Sequence, residues 1–269
     1  METILFDLDD TLIVELESAQ ESFIETIAQL DPQIDKNEFL SAIRKQAKEN
    51  WYKLPTIDYC LKIGISSWEA LWADFTGESE ELKELRNLSG KYRFETWHQS
   101  LIKFNIDNFD IAEKLSLDFK RIRNTKHRLF PETKDTLDKL KRNYKLGLIT
   151  NGTPDLQWKK INGGNLKQYF DHIAISGEHG YAKPDKRLFD LIIKALKSEK
   201  ANVIMVGNSL IKDIKGAQDY GLKTIWINRN KDKAGDMKPD YEITDLTEIS
   251  EILTALPNRQ QNTGKKEIL

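Results

Sequence analysis

Short apolar runs punctuate the chain, and a turn or polar residue follows each one. They are ILFDL at 4–8, LGLIT at 146–150, NVIMVG at 202–207 and the weaker DHIAIS at 171–176. Near-continuous runs of this length are expected of parallel strands covered on both faces. Helical spacing lies between them. Residues 132–143 carry Leu137 and Leu140, and 185–198 repeat Leu188, Ile192 and Leu196 every four residues, with Asp185 as an N-cap after Pro184. A further strand, Lys223 to Asn228, follows a helix ending near Tyr220-Gly221. This alternation predicts a doubly wound, Rossmann-like α/β parallel sheet.

Residues 15–128 break the alternation. They hold several helix patterns and no convincing strand. In SSWEALWADF, Trp68, Leu71, Trp72 and Phe75 fall at i, i+3, i+4 and i+7, and Ser66-x-x-Glu69 has capping-box spacing, so a helix is expected there. Trp51, Trp68, Trp72 and Trp97 share this region, and an aromatic stripe at helical spacing reads first as the core of a bundle. The expected organisation is an α/β core from 1–14 and 129–256, an inserted all-helical module at 15–128, and a disordered polar tail at 257–269.

Composition narrows the class without naming an activity. The 269 residues are 31% charged and 39% hydrophobic, as in a soluble globular protein. With 41 basic against 43 acidic residues, the formal net charge of -2 argues for no nucleic acid and no anionic membrane as partner. The single cysteine, Cys60, has no disulfide partner and reads as a small core residue in a reducing compartment. METILFDLDD places acids where a signal peptide carries basic residues, so a cytoplasmic location is expected.

Four motifs fall just past predicted strands. Asp7-Leu8-Asp9-Asp10-Thr11 ends the first, Thr150-Asn151-Gly152 the second, Lys183-Pro184-Asp185 follows the third, and Gly207-Asn208-Ser209 with Asp213 ends the fourth. Each has an ordinary alternative as a turn, a surface lysine or a helix cap. In open parallel sheets, however, ligands bind outside the carboxyl ends of the strands, so the four can converge in space. Clustered carboxylates cost free energy unless a cation or a reaction needs them.

The ordered set DLDDT, LITNG, the Lys of AKPD and GNSLIKD resembles the haloacid dehalogenase superfamily of hydrolases, over residues 1–14 and about 130–228. The helical insert is similar to that superfamily's cap domain, which closes over the site. The resemblance implies that Asp7 is a nucleophile forming an aspartyl-phosphate. Asp9 would protonate the leaving alcohol and then activate water, and the dehalogenase branch needs no acid in that position. Thr150 and the Asn151 backbone N–H would hold phosphate oxygens, and Lys183 would bring positive charge to the phosphoryl group and Asp7. Asp7, Asp213 and a phosphomonoester dianion outweigh one lysine, so a divalent, oxygen-seeking cation is expected, with Mg2+ the usual choice beside phosphate. Its ligands would be Asp7, the Asp9 carbonyl, Asn208 and Asp213.

One residue departs from the pattern, which usually has Asp where this chain has Asn208. A unit charge ~4 Å away is worth roughly 4 kcal/mol at an effective dielectric of about 20, so weaker Mg2+ binding is expected, with Asp213 carrying more of the charge. A catalytically weakened phosphate-binding or regulatory protein, a phosphomutase and a scaffold with a protein-binding cap remain as alternatives. For the substrate, a small phosphorylated metabolite, Arg93, His98 and the basic run Arg121, Arg123, Lys126, His127 and Arg128 are candidate contacts, although most charge runs are solvated faces. SSWEALWADF and LITNGTPDLQWKKI also resemble a Bacillus-type, phosphoserine phosphatase-like branch. Phosphoserine is therefore the first candidate, ahead of nucleotide and sugar phosphates.

Overall fold

The computed structural model describes residues 2–255, so the tail expected to be disordered lies outside them. Six parallel strands form one sheet: β1 Thr3–Phe6, β2 Lys145–Thr150, β3 His172–Ile175, β4 Val203–Gly207, β5 Lys223–Ile227 and β6 Tyr241–Ile243. Their spatial order is β3-β2-β1-β4-β5-β6, so the chain winds outward from β1 in both directions. Leu5 of the central strand stands level with Gly147 on one side and Met205 on the other.

Side chains alternate across a strand, and β1 shows the consequence. Ile4 and Phe6 join the core on one face, with α6 Thr133–Lys141, while Leu5 joins the core on the other, with α9 Lys186–Ala195 and α10 Gly216–Tyr220. Asp185 caps α9 by accepting the Arg187 N–H at 2.9 Å, as its position predicts. The edge strand β6 was not foreseen. Its three residues, YEI, bury only Ile243, too short a pattern to register in sequence.

Between β1 and α6 the chain runs through α1 Glu15–Ile27, α2 Lys36–Trp51, α3 Ile57–Ile63, α4 Glu80–Ile102 and α5 Phe109–Arg123. These helices enclose their own core of Phe23, Phe39, Trp51, Trp72, Trp97 and Phe119. The tryptophan stripe is thus largely bundle core. Cys60 is buried there, and burial pushes its thiol up to about 12, which suits a small core residue. α7 Pro154–Gly163 is the seat of the insert on the sheet, and its Leu156 packs into the insert's core. The remaining helices are the single turn α8 Ser176–His179 and the terminal α11 Ile249–Ala255.

SSWEALWADF does not form the expected helix. Only a 3-10 turn, Glu69–Leu71, is present, and Phe75 has a φ of 52°. Half of the expected capping box forms, because Glu69 accepts the Ser66 N–H at 3.0 Å, while the Ser66 hydroxyl donates to the same carboxylate at 2.6 Å and does not cap the Glu69 N–H. Downstream, tertiary bonds displace helical ones. The Asp74 N–H, which a helix would use internally, donates to Asp155 of α7 at 2.6 Å, and the Asp74 carboxylate takes Lys159 and Lys120. Local propensity yields to these contacts.

Candidate active site

A cavity of ≈ 320 Å³ opens at the carboxyl end of the sheet, between the strand-end loops and the insert. Asp7, Asp9, Asn151, Lys183, Asn208 and Asp213 all line it. Six of the seven predicted site residues therefore meet. The seventh, Thr150, is wholly buried beneath them, where its hydroxyl accepts Gln157 Nε2 at 2.6 Å and keeps its own hydrogen to donate.

Lys183 stands at the centre. Its ammonium donates to Asp7 Oδ1 at 2.6 Å and to Asp213 Oδ1 at 2.7 Å. Asn151 fixes the lysine's backbone from both sides, accepting its N–H at 2.9 Å and donating to its carbonyl at 3.0 Å. Asn151 was expected to act through its backbone N–H, and the structure adds this role for its side chain. Burial is the largest influence on the lysine and works to neutralise it. The attraction of Asp213 and Asp7 outweighs that and raises its pKa. Burial likewise pushes Asp7 upward, with Asp213's charge adding to the effect and Lys183 opposing it.

Asp213 reaches this position from a π-helical turn, Leu210–Lys215, a backbone form frequent at functional sites. Its other oxygen accepts the Ser209 N–H at 2.9 Å. Gly207 makes the approach feasible, since a Cβ there would lie 2.5 Å from the Asp213 carboxyl carbon.

Asp9 has an environment that sequence reasoning missed. Gln157 Nε2 donates to its Oδ2 at 3.0 Å, and Lys160 Nζ donates to its Oδ1 at 2.9 Å. Lys160 is wholly buried and also meets Glu69 at 3.1 Å and Glu15 at 3.3 Å. Glu15 pairs in turn with the buried Arg123 guanidinium. The cluster therefore holds three carboxylates and two cations. Burial pushes Asp9 and Glu15 up, against the pull of Lys160. On Glu69 burial acts in the same sense, but Lys160 and the Ser66 bonds outweigh it and hold the group low.

A sequence signal for these partners exists. Leu156, Gln157, Lys160 and Ile161 share the buried face of α7, so a lysine and a glutamine stand where apolar residues are expected. Asp10, the third acid of the motif, has a structural role, accepting the N–H groups of Glu15 and Leu16 at the start of α1.

The insert contributes Gly64, Ser66, Trp68 and Glu69 to the cavity wall. The basic residues named from sequence are absent from that wall. Arg93 donates to the Ala73 carbonyl at 2.8 Å, His98 pairs with Asp107 at 2.9 Å, and Arg121 pairs with Asp118 at 3.0 Å. Lys126 and Arg128 engage Glu25 and Glu17 of α1, and His127 packs against Gly163. Lys126 and Arg128 thus tie α1 to the chain's return from the insert.

Fold and site together define an α/β enzyme whose carboxylate chemistry lies at the sheet's carboxyl edge beneath a helical insert. The chain belongs to the haloacid dehalogenase-like hydrolase family, which residues 1–221 match. The phosphoserine phosphatase of Thermus thermophilus is 30% identical over 251 residues, covering 93% of this chain and 98% of that protein. The glyceraldehyde 3-phosphate phosphatase of Pyrococcus furiosus is 29% identical over 280 residues, covering 100% and 97%. Among solved structures, the magnesium-bound HAD-hydrolase YfnB of Bacillus subtilis shares the fold, with a TM-score of 0.65 at 22% identity over 94% of this chain and 98% of that one. No helix among the described residues is long and apolar enough to cross a membrane.

Proposed function

We propose that this chain hydrolyses a small phosphomonoester, phosphoserine first, through an aspartyl-phosphate on Asp7 and with Mg2+ as cofactor. The observation that carries the reading is the buried Lys183 ammonium between Asp7 and Asp213, beside a separately held Asp9. The full-length likeness to two phosphatases supports phosphoryl transfer, and so does the Asp at position 9.

In this reading an Asp7 oxygen attacks phosphorus in line while the bond to the leaving oxygen breaks, and Asp9 gives that oxygen its proton. Asp9 then takes a proton from water as the water oxygen attacks the same phosphorus. The acyl phosphate bond breaks, releasing inorganic phosphate and restoring the Asp7 carboxylate. Lys183 orients Asp7 and offsets charge on the phosphoryl oxygens. Thr150 donates its free hydroxyl hydrogen to one of those oxygens, and the Asn151 N–H assists. Residues 1–14 and 129–256 act as the catalytic core, and 15–128 as the cap.

The donors fit a hard cation. The cavity lining offers carboxylates and amide oxygens, with no cysteine or histidine. Among the described residues no three His, Cys, Asp or Glu side chains form a complete metal cage. Mg2+ usually keeps several waters and takes one or two carboxylates beside substrate phosphate. Asp7, Asp213, the Asp9 carbonyl and the Asn208 carboxamide would hold it, and it would supply Lewis-acid neutralisation of phosphoryl oxygens.

The cavity volume is at the small end of the range for ligand sites, which favours a small leaving group over a nucleoside. Lys212 on the wall offers a positive charge suited to the carboxylate of serine. The test is inorganic phosphate release from phosphoserine, glyceraldehyde 3-phosphate, nucleoside 5'-monophosphates and hexose phosphates, with Mg2+ or chelator, by the parent chain and Asp7→Asn. Turnover that requires both Mg2+ and Asp7 and is fastest on phosphoserine is the expected result. A better nucleotide substrate would overturn the substrate assignment. Activity that survives in Asp7→Asn would overturn the mechanism.

A further inference from the structure

Lys160 does not line the cavity, yet it is wholly buried and bonded to the proposed proton-transfer residue. Its three carboxylate partners come from three segments. Asp9 lies on the loop after β1, Glu15 opens α1 where the chain enters the insert, and Glu69 sits on the insert's 66–71 turn. Arg123, at the end of α5 where the chain leaves the insert, completes the cluster through Glu15. Gln157, one turn before Lys160 on α7, takes the second Asp9 oxygen. Both oxygens of Asp9 are thus held by one rigid helix face, while about a quarter of its side chain stays open to the cavity.

A lysine side chain has four rotatable stem bonds and reaches one fixed point only when several partners define it. Here Glu15 lies at the hinge where the insert begins, and the anchor from within the insert, Glu69, is itself fixed by Ser66. Withdrawing the 66–71 turn from α7 removes that anchor and leaves the ammonium between Asp9 and Glu15 alone. The position of the insert is thereby read at Asp9 through one ammonium group.

Building on the phosphatase reading above, we propose that Lys160 is a positioning residue that fixes the Asp9 carboxyl for proton transfer, and that Glu69 of the insert completes the arrangement only when the insert is seated. Substrate and Lys160 need never touch.

p-Nitrophenyl phosphate separates this role from a purely structural one. Its leaving group departs without a proton, so forming the aspartyl-phosphate does not need Asp9, whereas hydrolysing it does. In Lys160→Met, rapid mixing with this ester should give a burst of p-nitrophenolate at close to the parent rate. Steady-state kcat should fall on the order of tenfold to a hundredfold, a part of the full general acid–base contribution. With phosphoserine, whose leaving group needs the proton, the first turnover itself should slow. Glu69→Gln keeps every cation of the cluster and its bonds to Ser66, so it covers the case in which Lys160→Met does not fold. It should show the same pattern with a smaller loss, and Lys160→Arg should recover part of it. Burst and steady-state rates that fall together, or that both stay at the parent level, would overturn the positioning role while leaving the phosphatase reading intact. A parent chain with no Asp7-dependent turnover would overturn both.

Discussion

Replacing Lys183 by methionine keeps the stem and deletes the charge, leaving Asp7 and Asp213 to face each other. The Lys183 and Asp213 side chains are each 1% exposed, so water replaces little of what is lost. Removing one partner from a buried ion pair costs about 3–5 kcal/mol. The geometry accounts for a figure of that size. The two carboxylates accept from the same nitrogen at 2.6 and 2.7 Å. Their oxygens therefore lie within roughly 5 Å of each other, where two unit charges repel by about 3 kcal/mol at an effective dielectric of about 20. The sign of the pH dependence follows. In the parent, the lysine's raised pKa means that its stabilisation is complete below the unfolded value of about 10.4 and is lost only as pH rises through the folded value. Between weak acid and weak base the parent's contribution is constant. In the variant, protonating one carboxylate relieves the repulsion, and losing Lys183 removes the charge that opposes the upward push of burial on Asp7 in the parent. Urea unfolding in chelator, at about pH 8 and about pH 5.5, should show a deficit of about 3–5 kcal/mol at the higher pH and a clearly smaller one at the lower. A deficit below about 1 kcal/mol, as for a solvent-exposed pair, or one equal at both pH values, would refute the assignment of a buried, repulsion-dominated cluster.

Gly207→Ala should abolish phosphate release while leaving the circular dichroism spectrum unchanged, because the new Cβ would lie 2.5 Å from the Asp213 carboxyl carbon and push that group away. Trp68→Ala opens the insert's side of the cavity without touching Asp7 or Asp9, so steady-state kinetics should show a raised KM with kcat changed far less. Asn208→Asp should tighten Mg2+, read as a fall in the concentration giving half-maximal activity; the full charge is worth at most roughly 4 kcal/mol before screening. Burial is the largest single influence on Asp74 and raises its pKa, but Lys120 and Lys159 together outweigh it and hold the group below the usual carboxylate range. Its stabilisation is present above the unfolded value of about 3.9 and lost as pH falls through the folded one, so the stability gap between parent and Asp74→Asn should close in that direction.

The sheet and the meeting of the motifs were readable in sequence because each depends on local pattern plus one general rule. Apolar runs mark strands buried on both faces, and loops at their carboxyl ends share one edge of the sheet. What escaped depends on contacts between distant segments. Nothing local in SSWEALWADF reveals that its Asp74 N–H will be spent on Asp155 in α7, 81 residues away. The basic run 121–128 reads as a solvated face or a substrate contact, and only the placement of Glu15, Glu25 and Glu17 shows that Arg123, Lys126 and Arg128 are ion-pair partners of α1. Lys160 was open to detection as a cation on an apolar helix face, but its three partners lie 151, 145 and 91 positions away along the chain.

The three carboxylates of Asp7-x-Asp9-Asp10 end in three separate surroundings, and that separation lets neighbouring acids do different work. Asp7 shares Lys183 with Asp213 on one side of the cavity. Asp9 is turned to α7, where Gln157 and Lys160 hold it and Lys160 ties it to Glu15 and Glu69. Asp10, with a φ of 56°, turns the chain and ties α1 to the loop. A nucleophile must stay ionised, and a general acid must hold its proton until the leaving group departs. Two carboxyls on one short loop meet both demands only if different charges surround them. In the proposed mechanism the difference lies in the partners, since Lys183 ties Asp7 to Asp213 while Lys160 and Gln157 tie Asp9 to α7, Glu15 and Glu69.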